Sequence, residues 1–282
     1  MRVRRVLLVT KKTAYAMLRG AHRFEETADL RIAHEEHKLS LRMVRQALKM
    51  RDIEVDEHVV GRPLPQNGHD LVITVGGDGT LLEASHTVRN KTPVLGVNSA
   101  PTFSVGFLTC CRAPTFGDVL DAMISRRVKP MPVHRLAVAI GRKQLKEPVL
   151  NDVLFCHESP AQTARYHLAS PEGEETQRSS GVWISTAAGS TAALRSAGGL
   201  ALSLEEERFA FVVREPYAPP GSQVNMTRGT LAKDAVLKIT CHLNEARVFI
   251  DGAHRQYPVA FGQVVTFRRH RAPLFLVRPV KK

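Results

Sequence analysis

Residues 71–80 read LVITVGGDGT, and Leu81 and Leu82 follow. Five apolar or β-branched residues feed a turn of three glycines, one carboxylate and one threonine. A strand that ends in glycines ahead of a helix lets backbone N–H groups approach an anion with no Cβ in the way. The helix N-terminus adds a field that favours phosphate. Neither GxxxxGK[ST] nor GxGxxG is present, so the two common phosphate motifs do not apply. Repulsion disfavours a carboxylate in a bare phosphate cradle, so Asp78 points to a hydroxyl or a metal ion as its partner. Phosphoryl transfer to an alcohol requires such a group, to orient the hydroxyl and take its proton. The competing reading makes Asp78 an ordinary turn residue or N-cap, supported by Thr80.

The flanking sequence alternates in type. Val6–Val9 reads as a short buried strand, and 34–51 as an amphipathic helix with Leu39, Met43 and Ala47 four residues apart. Strands are expected at 53–60, 71–75 and 93–97, with helices near 81–88 and 114–127. This alternation predicts a Rossmann-like parallel sheet covered on both faces, over residues 1–130. Beyond Pro130 the segments RLAVAIG, PVLNDVLF, ARYHLAS, VWIST, AVLKITC, ARVFIDG and QVVTF are short and rich in Val, Thr, Phe and Tyr. They predict a β-rich, sandwich-like second domain over 131–282, interrupted by one helix near 190–196. The last apolar run, PLFLV at 273–277, has two possible homes: the β domain or the first sheet.

Composition narrows the function classes. The chain has 282 residues, 43% hydrophobic and 24% charged, with 40 Lys and Arg against 27 Asp and Glu. A net charge of +13 favours anionic partners such as nucleotides or polyphosphates. Aromatics are only 6%, and no basic–aromatic platform stands out for nucleic acid. No stretch approaches the roughly 20 apolar residues of a membrane helix, and the VLLV run near the start is too short for a signal peptide. The four cysteines, Cys110, Cys111, Cys156 and Cys241, form no CxxC pair and lack histidines at zinc-ligand spacing. They read as buried small hydrophobes in a reducing, cytoplasmic setting.

Other residues carry chemistry of their own. Residues 185–199, STAAGSTAALRSAGG, are dense in small side chains, so backbone can press against a flat ligand while hydroxyls reach ribose or a base edge. A helix capped by Ser190 and closed by Gly198 or Gly199 accounts for the same pattern. Asn151 and Asp152 interrupt an apolar strand, and burying them without partners would cost several kcal/mol. Asn98 ends a strand where ligands gather in open α/β sheets, or makes an Asx turn. Asp251 and Gly252 suit a hairpin turn or a ligand contact equally well. His270 lies in a basic run, RRHR, that suits a solvated strand or a polyphosphate.

Taken in order, GGDGT, the GVN…GFL stretch at 96–108, LNDV at 150–153, GSTAALRSAGG and the DG at 251–252 resemble the NAD kinase family. GGDGT alone is shared with lipid kinases and, more distantly, phosphofructokinases. The resemblance implies transfer of the γ-phosphoryl group of ATP to the adenosine 2′-hydroxyl of NAD or NADH. It implies that Gly76, Gly77, Gly79 and Thr80 cradle the donor's phosphates, with Mg²⁺ bridging them and no dedicated protein metal site. Asp78 would orient the hydroxyl. Asn98, Asn151, Asp152, Ser190, Thr191, Ala192 and Ser196 would meet the dinucleotide, with Asp251 and His270 as further candidates. A homodimer or homotetramer is also implied. The sequence departs from the family pattern at Ala193, where an aromatic is usual, at Ser180, where Asp is frequent, and at Asp152, which replaces Glu. Two other classes remain open on the sequence. One is a lipid kinase, which leaves GSTA…SAGG unexplained; the other is a non-enzymatic nucleotide or nucleic-acid binding regulator.

Overall fold

The computed structural model describes residues 2–19, 27–61, 64–65 and 68–278. It divides into two compact units, Met1–Pro132 with Leu274–Lys282, and Val133–Pro273. The PLFLV run therefore goes to the first unit: Leu274–Leu276 pairs in parallel with Val94–Asn98.

Unit 1 is built on a seven-stranded sheet. Its first four strands are β1 (Arg5–Thr10), β2 (Glu54–Val59), β3 (Leu71–Gly76) and β4 (Val94–Asn98). They lie in the order β2-β1-β3-β4 and pair in parallel. β3 is buried along its whole length, as a strand covered on both faces must be. Helices α1 (Ala14–Leu18), α2 (Ala28–Lys49), α3 (Asp78–Ser85) and α4 (Phe116–Ile124) follow in chain order. α2 begins earlier than the apolar periodicity alone indicates, because Thr27 caps it by accepting from the Leu30 amide. Val44 and Leu48 on α2 meet Phe116, Leu120 and Met123 and the β-strand valines in one core. The chain leaves β1 for β2 on one side and then returns to β3 on the other, so the sheet switches direction between β1 and β3. Ligands of open α/β sheets gather at the carboxyl ends of strands at such a point.

Unit 2 holds two six-stranded sheets, and their pairings are antiparallel. The first runs 173–179, 164–170, 237–241, 264–269, 136–140, 143–144; the second runs 228–231, 209–214, 181–185, 152–157, 246–250, 255–259. The inner faces share one core in which Val138, Leu168, Ile239 and Phe267 meet Phe155, Ile184, Phe211 and Val248. That is a sandwich. Five strands lie outside the segments that sequence pattern singles out: 143–144, 173–179, 209–214, 228–231 and 255–259. GEETQRS at 173–179 shows why. Only Gln177 and Ser179 are buried, and each bonds to the Tyr166 hydroxyl, so a polar pair occupies the inward positions. Among the described residues no helix is long and apolar enough to cross a membrane. Cys241 is buried, whereas Cys110, Cys111 and Cys156 are only half-buried, a correction to the expectation that all four are core residues.

Candidate active site

The glycine turn sits at the carboxyl end of β3, beside the switch point. α3 starts at Asp78, three residues before the expected helix, so Asp78 and Gly79 lie in its first turn. Gly77 is the N-cap, and no side chain caps the helix, which leaves first-turn N–H groups available to an anion. The three glycines differ in what confines them. A Cβ on Gly76 would stand 2.1 Å from the Thr80 Oγ1, so Thr80 fills that space; one on Gly77 would come 2.9 Å from the Ser104 Oγ. One on Gly79 would meet nothing within 4 Å.

Asp78 is not the cap. Its Oδ2 accepts from the Phe107 amide and its Oδ1 from the Leu108 amide, both at 2.8 Å. The carboxylate thus ties the GFL segment to the glycine turn. Asn98 works on the same segment. Its Nδ2 donates to the Ser104 carbonyl at 2.8 Å, and its Oδ1 accepts from the Ala100 amide at 3.3 Å, the Asx-type alternative. Gly106, at φ +68°, lets the loop pass against the Asn98 amide, since a Cβ there would lie 2.6 Å from Nδ2.

A buried polar cluster that sequence reading missed lies at the same edge of the sheet. The His37 ring on α2 bonds the Ser99 hydroxyl at 2.8 Å and the Thr10 hydroxyl at 3.2 Å, while Ser40 donates to the Ser99 carbonyl. Burial pushes the imidazole down to about 4, assisted by the charges of Lys11 and His34. This neutral histidine joins α2 to the ends of β1 and β4. Its only sequence signal is a polar residue on the helix face that carries Val44 and Leu48.

In unit 2, Asn151 and Asp152 open the strand Asp152–His157. Asp251, in the hairpin between 246–250 and 255–259, sends its carboxylate across to them. It accepts from the Leu150 amide at 2.9 Å, the Asn151 amide at 2.7 Å and the Asp152 amide at 3.0 Å. So the DG is a turn, and it also fixes the Asn-Asp backbone. The Asn151 Nδ2 donates to the Asp152 Oδ2 at 3.0 Å. Burial, and secondly the Asp251 charge, push the Asp152 carboxyl up to about 7. A raised carboxyl destabilises the fold as it is forced to ionise: stability is greatest below about pH 4, where the unfolded side chain is also protonated. It falls as pH rises to about 7 and then levels. Replacing Asp152 with Asn should flatten this slope and add roughly 1–4 kcal/mol at pH 7, read by urea unfolding at pH 5 and 7. An unchanged slope would remove Asp152 as its source.

The small-residue segment follows the strand Gly181–Ser185. Gly189 presses on the Asn151 carbonyl, 2.2 Å from where its Cβ would be. The Ser190 hydroxyl is fully buried, donating to the Ala187 carbonyl and accepting from the Leu202 amide at 2.8 Å, so it braces the loop from inside. The helix here is one turn, Ala193–Ser196, closed by Gly198 in a left-handed conformation. Thr191 is half-buried, Ala192 and Ser196 are exposed, and the Ser196 Oγ lies 3.5 Å from the Ala192 carbonyl. The Ala187–Leu194–Val212 cluster beneath supports Trp183, whose indole lines a cavity of about 360 Å³ with Leu154, Phe249, Arg214 and Gly252. His270 accepts from the Ala272 amide at 3.1 Å and shapes a turn.

A glycine turn with uncapped helix amides at the switch point of a parallel sheet places the chain among the nucleotide-binding α/β proteins. Residues 1–128 match the family model described as the ATP-NAD kinase N-terminal domain. The probable NADH kinase of Oryza sativa subsp. japonica is 31% identical over 267 residues, which is 86% of this chain and 82% of that protein. The NADH kinase of Arabidopsis thaliana is 31% identical over 254 residues, 81% and 79% of the two chains. The chain belongs to the NAD kinase family. Its fold is that of the NAD kinase from Archaeoglobus fulgidus in complex with ATP, with a TM-score of 0.73 at 20% identity over 98% of this chain and 94% of the other. Yeast NADH kinase complexed with NADH gives 0.76 at 17% identity, over 100% and 85%.

Proposed function

We propose that the chain transfers the γ-phosphoryl group of ATP to the adenosine 2′-hydroxyl of NAD or NADH, giving NADP or NADPH. The observation that carries this reading is Asp78, a carboxylate fixed by two amides in the first turn of a helix with no side-chain cap. Each oxygen uses one lone pair on an amide, so each keeps one for an incoming hydroxyl. The Gly77, Asp78 and Gly79 amides would receive the donor's phosphate oxygens, with Gly79 the open approach. Phosphoryl transfer builds little alkoxide before its transition state, so Asp78 would orient the hydroxyl first and take its proton late.

Mg²⁺ would supply charge neutralisation on the phosphate oxygens. Such an ion is held largely by substrate phosphates, and Asp78 is the one carboxylate of the turn with the oxygen chemistry to join them. In unit 2, Asn151 and Asp152 would meet ribose hydroxyls, and a carboxyl poised near neutrality can donate or accept there. Thr191, Ala192 and Ser196 would border the dinucleotide, with Ser190 and Asp251 holding that surface in shape. A homo-oligomer in a reducing cytoplasm fits the family and the four free thiols.

The plant relatives are named a probable NADH kinase and an NADH kinase, so NADH belongs beside NAD in the decisive experiment. A coupled assay crosses both acceptors with ATP and with polyphosphate, on the wild type and on Gly79→Ala. Product is expected from ATP with at least one dinucleotide. The variant should fold normally but show a KM for ATP raised by about tenfold, a loss of about 1.4 kcal/mol of donor binding. No product from any pairing would sink the activity, and an unmoved donor KM would move the phosphates elsewhere.

A further inference from the structure

The outward face of the first sheet of unit 2 carries charges that the proposed reaction does not use. Strands Ala164–Ser170 and Gly173–Ser179 pair in a register that sets Arg165 directly opposite Arg178, both exposed. Like charges in this arrangement repel and weaken the strand pair. Among the described residues neither guanidinium meets a carboxylate. His242 stands beside this pair, its amide donating to the Arg165 carbonyl at 2.9 Å.

These cations line an open groove of about 840 Å³. Its other wall is the 215–224 segment, held by the Tyr217 amide on the Arg178 carbonyl at 2.8 Å. Tyr217 is 51% exposed and Phe261 is 64% exposed, and both line the groove. The Phe261 ring lies 6.1 Å from that of His242. Glu175 is the one carboxylate in the lining, and it is engaged by the amides of Asn225 and Met226 and by the Gln177 Nε2. The groove therefore offers two unpaired guanidinium groups and aromatic faces, with its one carboxylate tied back by neutral N–H donors.

We propose that this groove is a second ligand site, which takes a nucleoside phosphate. The paired forks of Arg165 and Arg178 match phosphate oxygens, and binding would relieve their mutual repulsion. Tyr217 and the Phe261–His242 pair offer flat surfaces to a base. The volume is that of a small-molecule site. Asn151 and Asp152, proposed to meet the acceptor, belong to the other sheet of the sandwich, so a ligand here acts as an effector and not as the acceptor.

Photolabelling of the full chain with 8-azido-ATP, followed by peptide mapping, tests this. Label is expected on peptides containing Tyr217 or Phe261, competed by AMP and by inorganic tripolyphosphate. Arg165→Ala/Arg178→Ala should cut that label at least tenfold, melt at or above the wild-type temperature, and keep its kinase turnover in the absence of effector. Phe261→Ala, a change at an exposed ring, should weaken labelling independently and covers the case of a double variant that fails to fold. Label absent from both peptides, or undiminished in the variants, overturns the proposal. Protection of the groove by a single-stranded oligonucleotide but not by AMP also overturns it, in favour of a nucleic-acid surface.

Discussion

Asp78→Asn is expected to lower kcat by about 10²–10⁴-fold, the range for loss of a group that manages a proton, while dinucleotide affinity stays close to wild type. The carboxylate accepts one amide on each oxygen, from Phe107 and Leu108. An asparagine has one oxygen, so its NH₂ must face one of those N–H donors. Leu108 is 2% exposed, so an orphaned amide there would cost about 1–3 kcal/mol. The variant should therefore melt several degrees lower as well as turning over slowly. The two effects separate by measurement: kcat and dinucleotide Kd are taken well below the melting transition. Near-normal turnover would remove Asp78 from the chemistry and leave it only as the tie between GGDGT and GFL. A kcat loss matched by an equal loss of dinucleotide binding would point to collapse of the loop.

What could be read in the sequence was local. β3 is legible because a strand buried on both faces is nearly all apolar, and the glycines after it mark a turn, confined at Gly76 and Gly77 and open at Gly79. The start of α3 is less so, since GGDG reads as a turn although Gly77 already caps the helix. Partners distant in the chain left no trace. Nothing in GGDGT indicates that its carboxylate bonds amides 29 and 30 residues later. Nothing in the 185–199 segment indicates that the Ser190 hydroxyl turns inward to Leu202, because hydroxyl-rich loops serve ligands and their own backbone with the same residues. The structure adds local tasks to residues that the family resemblance assigns to ligands. Asn98 and Asp251 also shape loops through their own hydrogen bonds.

Asp251→Ala is the substitution expected to cost unit 2 most stability, roughly 3–5 kcal/mol, because three amides lose a charged acceptor. Leu150 and Asp152 are buried, so their N–H groups have little recourse to water. Position 251 also sits at φ +48°, a left-handed conformation in which alanine is strained, whereas Asn and Gly tolerate it. A series isolates the two contributions. Asp251→Gly removes the carboxylate and the strain together, and Asp251→Asn keeps one acceptor oxygen in a tolerated conformation. Urea unfolding at pH 7 should rank wild type above Asn, and Asn above Gly and Ala, with Gly and Ala differing by the strain alone. Neutralising Asp251 also removes the charge that helps hold the Asp152 carboxyl near 7, so Asp152 should ionise more readily in Asp251→Asn. The fall in stability between about pH 4 and 7 should then be shallower than in the wild type. Alanine within about 0.5 kcal/mol of wild type, the spread of an ordinary surface change, would mean that water replaces the carboxylate. The turn would then owe its form to Gly252 and not to its bonds with the Asn-Asp strand.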